Sequence, residues 1–377
     1  LDTSQTFMPL NISEFLDLEM IKFSIDDCLR SIPNIYDGLK QSQRKILYAA
    51  LLKGNQKLKV SQLSGFVSEK TNYHHGEECL NQTIIKMAQT FTGSNNINLL
   101  EPEGQMGSRV ALGKDAASPR YVFTRVDKKV KSIFPESDNG LLNYVNDDGD
   151  IVEPEFYIPT IPMILVNGIT SIGTGWSSNI PAYNPDDLVK CVREWIDNKP
   201  ISEIIPYYKG FKGNITKIEN KKYQVEGKFE KMNKTNWYRI TEIPIQTSID
   251  TYKEYLEDLI ENKKIKTMNN YSDDENINFE IQVQSDFKPT IDNLKLKTYL
   301  HTSNMVMFVD DNKLKKFDTV EEIINTYCLK RLKLYDDRKK AQLKQMKYDL
   351  MINKNKYRFL EEVMNEKLKV FKIDEEI

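Results

Sequence analysis

The chain has 377 residues, 40% hydrophobic and 29% charged, with a formal net charge of −2. That length exceeds one ordinary core, so two or three domains are expected, and no apolar run approaches the ~18 residues of a membrane span. Four scattered cysteines (Cys28, Cys79, Cys191, Cys328) with no CxxC pair argue against a disulfide framework or zinc site and for reduced thiols in an intracellular protein. The chain starts at Leu1 and closes on a helical pattern with no stop signal, so it reads as a piece of a larger polypeptide.

The near-neutral total hides two basic blocks. From Gly38 to Ser68 stand Lys40, Arg44, Lys45, Lys53, Lys57 and Lys59 without an acid. From Gly104 to Lys131 stand Arg109, Lys114, Arg120, Arg125, Lys128, Lys129 and Lys131 against only Asp115 and Asp127. Two such blocks suggest one face built for a polyanion, or else two solvated helix faces.

In chain order, Phe15, Leu18, Ile21, Ile25 and Leu29 have helical spacing over 14–30, ending at "SIPN" because Pro33 disfavours helical geometry before it. Further helices are expected at 41–53, at 59–67 and at 77–91. In the last of these, Leu80, Ile84, Met87, Ala88 and Phe91 form one stripe behind an acidic first turn. Three helices followed by the glycine-punctuated "INLLEPEGQMGSRVALGKD" predict a helix-turn-helix with a β wing, whose third helix can enter a major groove. The segment 161–181 reads as a buried strand running into a glycine-rich turn. It lacks GK[ST] and GxGxxG spacing, so it is no nucleotide loop. Asn184 and Pro185 start another helix.

From about 206 to 290 the alternation in "KYQVEGKFE", "WYRITEIPI" and "NFEIQVQ" predicts half-exposed strands, interrupted by a helix at 249–262; 269–278 is a polar loop tip. After Lys316 there is neither Gly nor Pro. Leu343, Met346, Leu350, Tyr357, Leu360 and Met364 follow 3-4 spacing around the polar Asn353, as in a coiled-coil seam; a single amphipathic helix is the other reading. The fold class expected is multidomain α+β: a winged-helix domain (1–160), a strand-rich tower (161–317) and a helical coiled-coil arm (318–377).

Two constellations carry chemistry. In "GKDAASPRYVFTR", Tyr121 is a nucleophile that needs its phenol deprotonated, and the adjacent Arg120 can stabilise both phenolate and phosphoryl charge without taking the proton. A packed tyrosine beside a surface arginine is the other reading. In "NYHHGEE", His74 and His75 lack a third ligand at metal spacing; a general base, a phosphate hydrogen-bond donor or a cap for the helix at 77 remain open.

"LRSIPNIYDGLKQSQRKILYA", "VSEKTNYHHGEECLNQTIIKMAQTFTGSNNINLL", "GKDAASPRY" and "EPEFYIPTIPMILVNGITSIGTGWSSNIP" together resemble, in order and spacing, the breakage–reunion region of type II DNA topoisomerases, on their eukaryotic-like branch. The likeness is close from about Asp17 to Pro185 and looser beyond. It implies that Tyr121 forms a 5′-phosphotyrosyl bond in double-stranded DNA, with Arg120, Arg30 and His75 at the scissile phosphate. It also implies that Ile172 wedges between base pairs; with the basic blocks read as a polyanion face, Lys40, Arg44, Lys45, Lys59, His74, Arg109 and Lys114 are candidates for DNA contact. The parent enzyme would be a homodimer using Mg²⁺ and ATP, with the toprim metal ligands and the ATP site outside this sequence. A viral source would place it in the nucleus or a cytoplasmic virus factory, a cellular eukaryotic one in the nucleus. The rival readings are a non-catalytic winged-helix DNA-binding or scaffold module and a strand-breaking transesterase without strand passage.

Overall fold

The computed structural model describes residues 11–368; the outer ends of the first and last expected domains, 1–10 and 369–377, lie outside them. Helix α1 (Ile12–Phe15), a π-helical turn (Leu16–Met20) and α2 (Ile21–Ser31) follow one another directly. Asn11 starts the run by accepting the Ser13 N–H, and Ile32 is already extended before Pro33. The apolar residues that gave the helical pattern, Phe15, Leu18, Ile21 and Ile25, are exposed, while Cys28 of α2 is buried.

Helix α3 (Gln41–Lys53), the short strand β1 (Leu58–Lys59), α4 (Val60–Thr71) and α5 (Glu77–Ala88) precede β2 (Leu100–Glu103) and β3 (Phe123–Val126). The strands form an antiparallel sheet in the order β1-β3-β2. This is the expected helix-turn-helix with a wing, and the wing loop is 104–122. Both α3 and α4 begin with a lysine whose backbone N–H donates to a glutamine at the third helical position, Lys40 to Gln43 (2.9 Å) and Lys59 to Gln62 (3.1 Å). That is half of a capping box.

Helix α6 (Val130–Ile133), a 3₁₀ turn (Glu136–Leu141) and the hairpin β4 (Tyr144–Asp147) with β5 (Asp150–Pro154) follow. The strand expected from 161 is instead a short helix, α7 (Met163–Asn167), before the hairpin β6 (Ile169–Gly173) and β7 (Trp176–Ile180). Met163, Ile164, Leu165 and Val166 are buried in succession, and a short run buried on every side has no period to separate helix from strand. Helix α8 (Pro185–Ile196) starts where expected, Asn184 accepting the Asp186 N–H.

The alternating region forms β8 (Asn214–Glu219), β9 (Lys222–Glu226), β10 (Lys228–Lys231), β11 (Trp237–Glu242), α9 (Ile249–Glu261), β12 (Ile265–Asn270), β13 (Phe279–Val283) and β14 (Lys297–His301). Its two sheets have the orders β10-β11-β13-β12 and β14-β9-β8. Phe279, Ile281 and Val283 of β13 face a core shared with Tyr252 and Leu256 of α9, the inward half of the alternation seen in "NFEIQVQ".

The hairpin β15 (Met305–Val309) and β16 (Lys313–Phe317) then returns to the first body. There the Ile35 N–H donates to Phe308 O (2.9 Å) and the Phe308 N–H to Pro33 O (3.0 Å). The main core accordingly gathers Ile46, Leu63 and Ile84 with Leu165, Leu188, Met307, Phe317 and Tyr327. It draws on all three expected segments. Helix α10 (Val320–Met364) starts at a Thr319 cap. Its root is held by a buried carboxylate: Asp138 accepts from Arg331 (2.7 Å) and Arg338 (2.7 Å). Farther out, Leu343, Met346, Leu350, Tyr357, Leu360 and Met364 are all exposed.

A second buried pair ties the wing loop to the strand-rich body. Arg109 and Glu242, 2% and 1% exposed, meet at 2.7 Å. Arg109 also donates to Ile243 O (2.8 Å), and Glu242 accepts the backbone N–H groups of Lys212 and Ile243 (both 2.9 Å). The Ile249 and Asp250 N–H groups at the start of α9 donate to Arg109 O and Val110 O, using donors that a helix end leaves free. Arg109→Met or Glu242→Gln is expected to destabilise the protein by about 3–5 kcal/mol, because each leaves its partner buried without a counter-charge. The double replacement should cost less than the sum; urea denaturation followed by tryptophan fluorescence reads this.

Candidate functional site

Tyr121 stands at the end of the wing loop and is 77% exposed, against 36% for Leu112, the other exposed large apolar side chain of that loop. Its backbone is fixed although its side chain is free. The Tyr121 N–H donates to Ser118 O (2.9 Å), while the Val60 and Ser61 N–H groups, the first of α4, donate to Val122 O (3.0 Å) and Pro119 O (3.2 Å). The free donors of a helix start thus clamp the carbonyls on both sides of Tyr121. Val122, 1% exposed, buries itself directly after it. Arg120 is exposed beside it, and among the described residues nothing hydrogen-bonds the Tyr121 hydroxyl.

The residues before the proline are set by one amide and one carboxylate. Gln89 Nε2 donates to Met106 O (2.9 Å) and Gly113 O (3.2 Å) from inside the loop. A Cβ at Gly113 would lie 2.3 Å from that nitrogen, and one at Gly107 would lie 2.6 Å from Gly113 O. Both glycines have positive φ (95° and 83° for Gly107 and Gly113), so they are required twice over. Asp115 accepts from the Ser108 N–H (2.9 Å) and Ser108 Oγ (2.6 Å). Sequence reasoning gives Asp115 no role and misses Gln89, which has no local signal.

A second group forms at the end of α2 and the start of α5. The Tyr73 and His75 rings meet edge to face at 5.5 Å, and His74 lies 5.1 Å from His75. Partial burial, then the positive charges of Arg30, His74 and Lys45, hold the His75 imidazole below its usual pKa. Tyr73 is pushed up to about 12, by burial first and then by the neighbouring Cys79 thiol. The helix cap left open for the histidines is not made, since Gly76 occupies that position without a side-chain bond. Arg30 is exposed and faces Asp27 at 3.4 Å. Arg30, His74 and His75 therefore share one neighbourhood, and no hydrogen bond joins them to Tyr121.

Ile172 is 79% exposed. It lies on β6 opposite Ser177, one residue before the turn at Gly173–Trp176, while Ser171 points inward and is buried. An apolar side chain so presented at a hairpin end has no packing role in this chain.

Three residues expected on the DNA face are buried and paired with carboxylates. Arg44 is buried and paired bidentately with Asp37 (2.7 and 3.1 Å), and donates to Leu39 O. The same carboxylate accepts the Leu39 and Tyr157 N–H groups, so "YDGLKQSQR" is a folding motif around a buried ion pair. Gly38 within it is obligatory, since a Cβ would stand 2.6 Å from Ile164 Cα. Lys45 is buried against Glu153 (2.9 Å) and Thr71 O (2.6 Å). Arg109 is the buried partner of Glu242. The basic blocks misled because formal charge in a sequence carries no burial. Lys114 is exposed and Lys59 half-buried, with its Nζ 6.0 Å from the Phe123 ring. Lys40 is half-buried, its amine pushed down by burial and by Lys86.

The described residues contain no group of three or more His, Cys, Asp or Glu side chains placed to hold a metal. No helix among the described residues is long and apolar enough to cross a membrane.

Comparison with known proteins gives one consistent result. The family described as the A subunit of DNA gyrase/topoisomerase IV matches residues 30–376. The chain is 43% identical to a DNA topoisomerase 2 of Invertebrate iridescent virus 6, aligned over 100% of this chain and 34% of that protein. It is 41% identical to a DNA topoisomerase 2 of Candida albicans, over 98% of this chain and 26% of that one. It therefore spans only a minor part of these curated relatives. The crystal structure of the Plasmodium falciparum topoisomerase II DNA-binding, cleavage and re-ligation domain superposes with a TM-score of 0.91 at 40% identity, covering 96% of this chain and 51% of that one. The exposed tyrosine on a clamped wing loop thus sits in a fold shared along almost the whole chain, and the chain belongs to the DNA gyrase/topoisomerase IV family, among the type II topoisomerases.

Proposed function

We propose that this chain is the DNA cleavage and religation core of a type II topoisomerase that works as a homodimer on double-stranded DNA. The observation that carries the reading is Tyr121, 77% exposed while the carbonyls flanking it are held by the start of α4. The Tyr121 oxygen attacks a backbone phosphorus, the new O–P bond replaces the bond from phosphorus to the 3′-oxygen, and that oxygen leaves with a proton. The 5′ end stays on the tyrosine and the reverse step reseals the strand. Energy is conserved, because one phosphodiester replaces another.

Arg120 moves with Tyr121 and supplies positive charge to the phosphoryl oxygens as they gain charge. Arg30 and His75 form a second contact to the phosphate. Partial burial first, and then the neighbouring positive charges, lower the His75 pKa and so favour its neutral form, able to accept a proton or donate one hydrogen bond. Ile172 opens a base step and bends the duplex; unstacking costs a few kcal/mol and is repaid by a longer contact surface. The open seam of α10 pairs with the same seam of a second copy. Mg²⁺ and ATP belong to parts of the full enzyme beyond these residues.

Covalent trapping tests the reading. The full-length polypeptide, mixed with supercoiled DNA, Mg²⁺ and ATP and stopped with denaturant, is expected to carry the 5′ ends of a double-strand break, and Tyr121→Phe to carry none. Normal DNA binding without any adduct would leave the binding-module reading in its place.

Two further outcomes follow from the electrostatics. In the free protein, His75 should titrate below the ordinary value of about 6.5. Arg30→Gln removes a positive neighbour and should raise that midpoint, as read by NMR of the imidazole protons with His75→Gln for assignment. Lys114→Ala is expected to weaken DNA binding at all sequences and to reduce the slope of log K against log salt by about 1. A steeper or unchanged slope would remove Lys114 from the interface.

A further inference from the structure

One carboxylate joins the hairpin that carries Ile172 to the helix end that carries Arg30. Asp27, in the penultimate turn of α2, accepts two hydrogen bonds at Oδ2, both from Thr174, one from the backbone N–H and one from Oγ1 (2.8 Å each). At Oδ1 it accepts from Arg30 Nη2 and Ser31 Oγ, each at 3.4 Å. Thr174 lies in the turn of the β6–β7 hairpin, two residues past Ile172.

The neighbouring residue closes the same contact. Cys28 Sγ donates to Thr174 O (3.4 Å), and Gly173 rests on Cys28 so closely that a Cβ there would lie 3.3 Å from the sulfur. The other strand is tied elsewhere, Asn304 Nδ2 donating to Ser177 (2.8 Å to Oγ) and the Val306 N–H to Ser178 Oγ (3.2 Å). The hairpin's turn is therefore held by α2, and its second strand by Asn304 and Val306.

The geometry points to Asp27 as a positioning residue that couples insertion of Ile172 to the seating of Arg30 on the phosphate. This rests on the roles proposed above for Ile172 and Arg30. A carboxylate can accept from both Thr174 donors and from the guanidinium at once. Asparagine keeps the shape, but it can accept on one oxygen only, so either Thr174 or Arg30 loses its partner. Force on the hairpin from a bent duplex passes through Thr174 and Asp27 to the α2 turn that presents Arg30. Bending and phosphate grip then become one event.

The test uses the full-length polypeptide with a doubly labelled linear duplex, reading bending per bound complex by energy transfer and, in parallel, the covalent adduct. Asp27→Asn is expected to leave DNA affinity within about twofold while lowering both the bent fraction and the adduct, the adduct by about tenfold, as for loss of one charge-assisted hydrogen bond. Combined with Ile172→Ala, its effect on the adduct should be much smaller than on the wild-type background, since coupled groups are non-additive. Bending per bound complex does not depend on the folded fraction, so a merely structural role would leave it unchanged. Wild-type bending and adduct in Asp27→Asn and in Asp27→Ala, or independent multiplicative losses in the double variant, would overturn the coupling. Where Asp27→Ala fails to fold, the isosteric Asp27→Asn decides. An unmutated protein that forms no Tyr121-dependent adduct would instead sink the functional reading itself.

Discussion

The fixation of one exposed side chain's backbone is the constraint on which this structure depends. In the proposed reaction Tyr121 meets a phosphorus atom, so it cannot be buried, yet it has to be held in place. The wing loop resolves this by anchoring its peptide groups and leaving the ring free. The first N–H groups of α4 hold Val122 and Pro119, Gln89 holds Met106 and Gly113, and the start of α9 holds Arg109 and Val110. Helix starts serve twice here because their first donors have no partner within the helix. Each clamp therefore satisfies two needs with one bond.

The same loop also ties two bodies to each other. Arg109 leaves the wing and enters the strand-rich body, where Glu242 and Ile243 O receive it. A buried pair of this kind contributes little net stability compared with an apolar contact, but it tolerates few alternative arrangements. In this chain it sets the register between the wing loop and α9. The Asp138 pairing with Arg331 and Arg338 plays the corresponding part at the root of α10. The Arg109–Glu242 pair is a fixed joint between bodies with separate apolar cores, whereas the Asp138 cluster fixes α10 on the main core that Tyr327 and Leu334 already share.

Electrostatics divide the basic residues into two populations. Arg44, Lys45 and Arg109 are spent on internal carboxylates, while Arg30, Arg120 and Lys114 stay exposed. A sequence count adds the two together. Only the second population can contribute to a field felt by a polyanion. The slightly negative total charge of the chain is thus no obstacle to a locally positive site.

The sequence by itself determined the elements and the chemistry-bearing residue types. Helical spacing placed α2 and α5, the cap residues Asn184 and Pro185 placed α8, and alternation placed β9, β11 and β13, all of them local signals along the chain; the candidate roles of Arg30, His75 and Ile172 came from the resemblance of the linked motifs. The helix α7 was not legible, because a uniformly apolar run has no period. Nor was the burial of Arg44, Lys45 and Arg109, whose carboxylate partners lie up to 133 residues away along the chain (109 to 242). Asp27 and Gln89 likewise acquire their roles only when Thr174 and Gly113 come to meet them. Tertiary structure decided these points, because an ion pair or a hydrogen bond depends on distance in space, and sequence separation does not encode it.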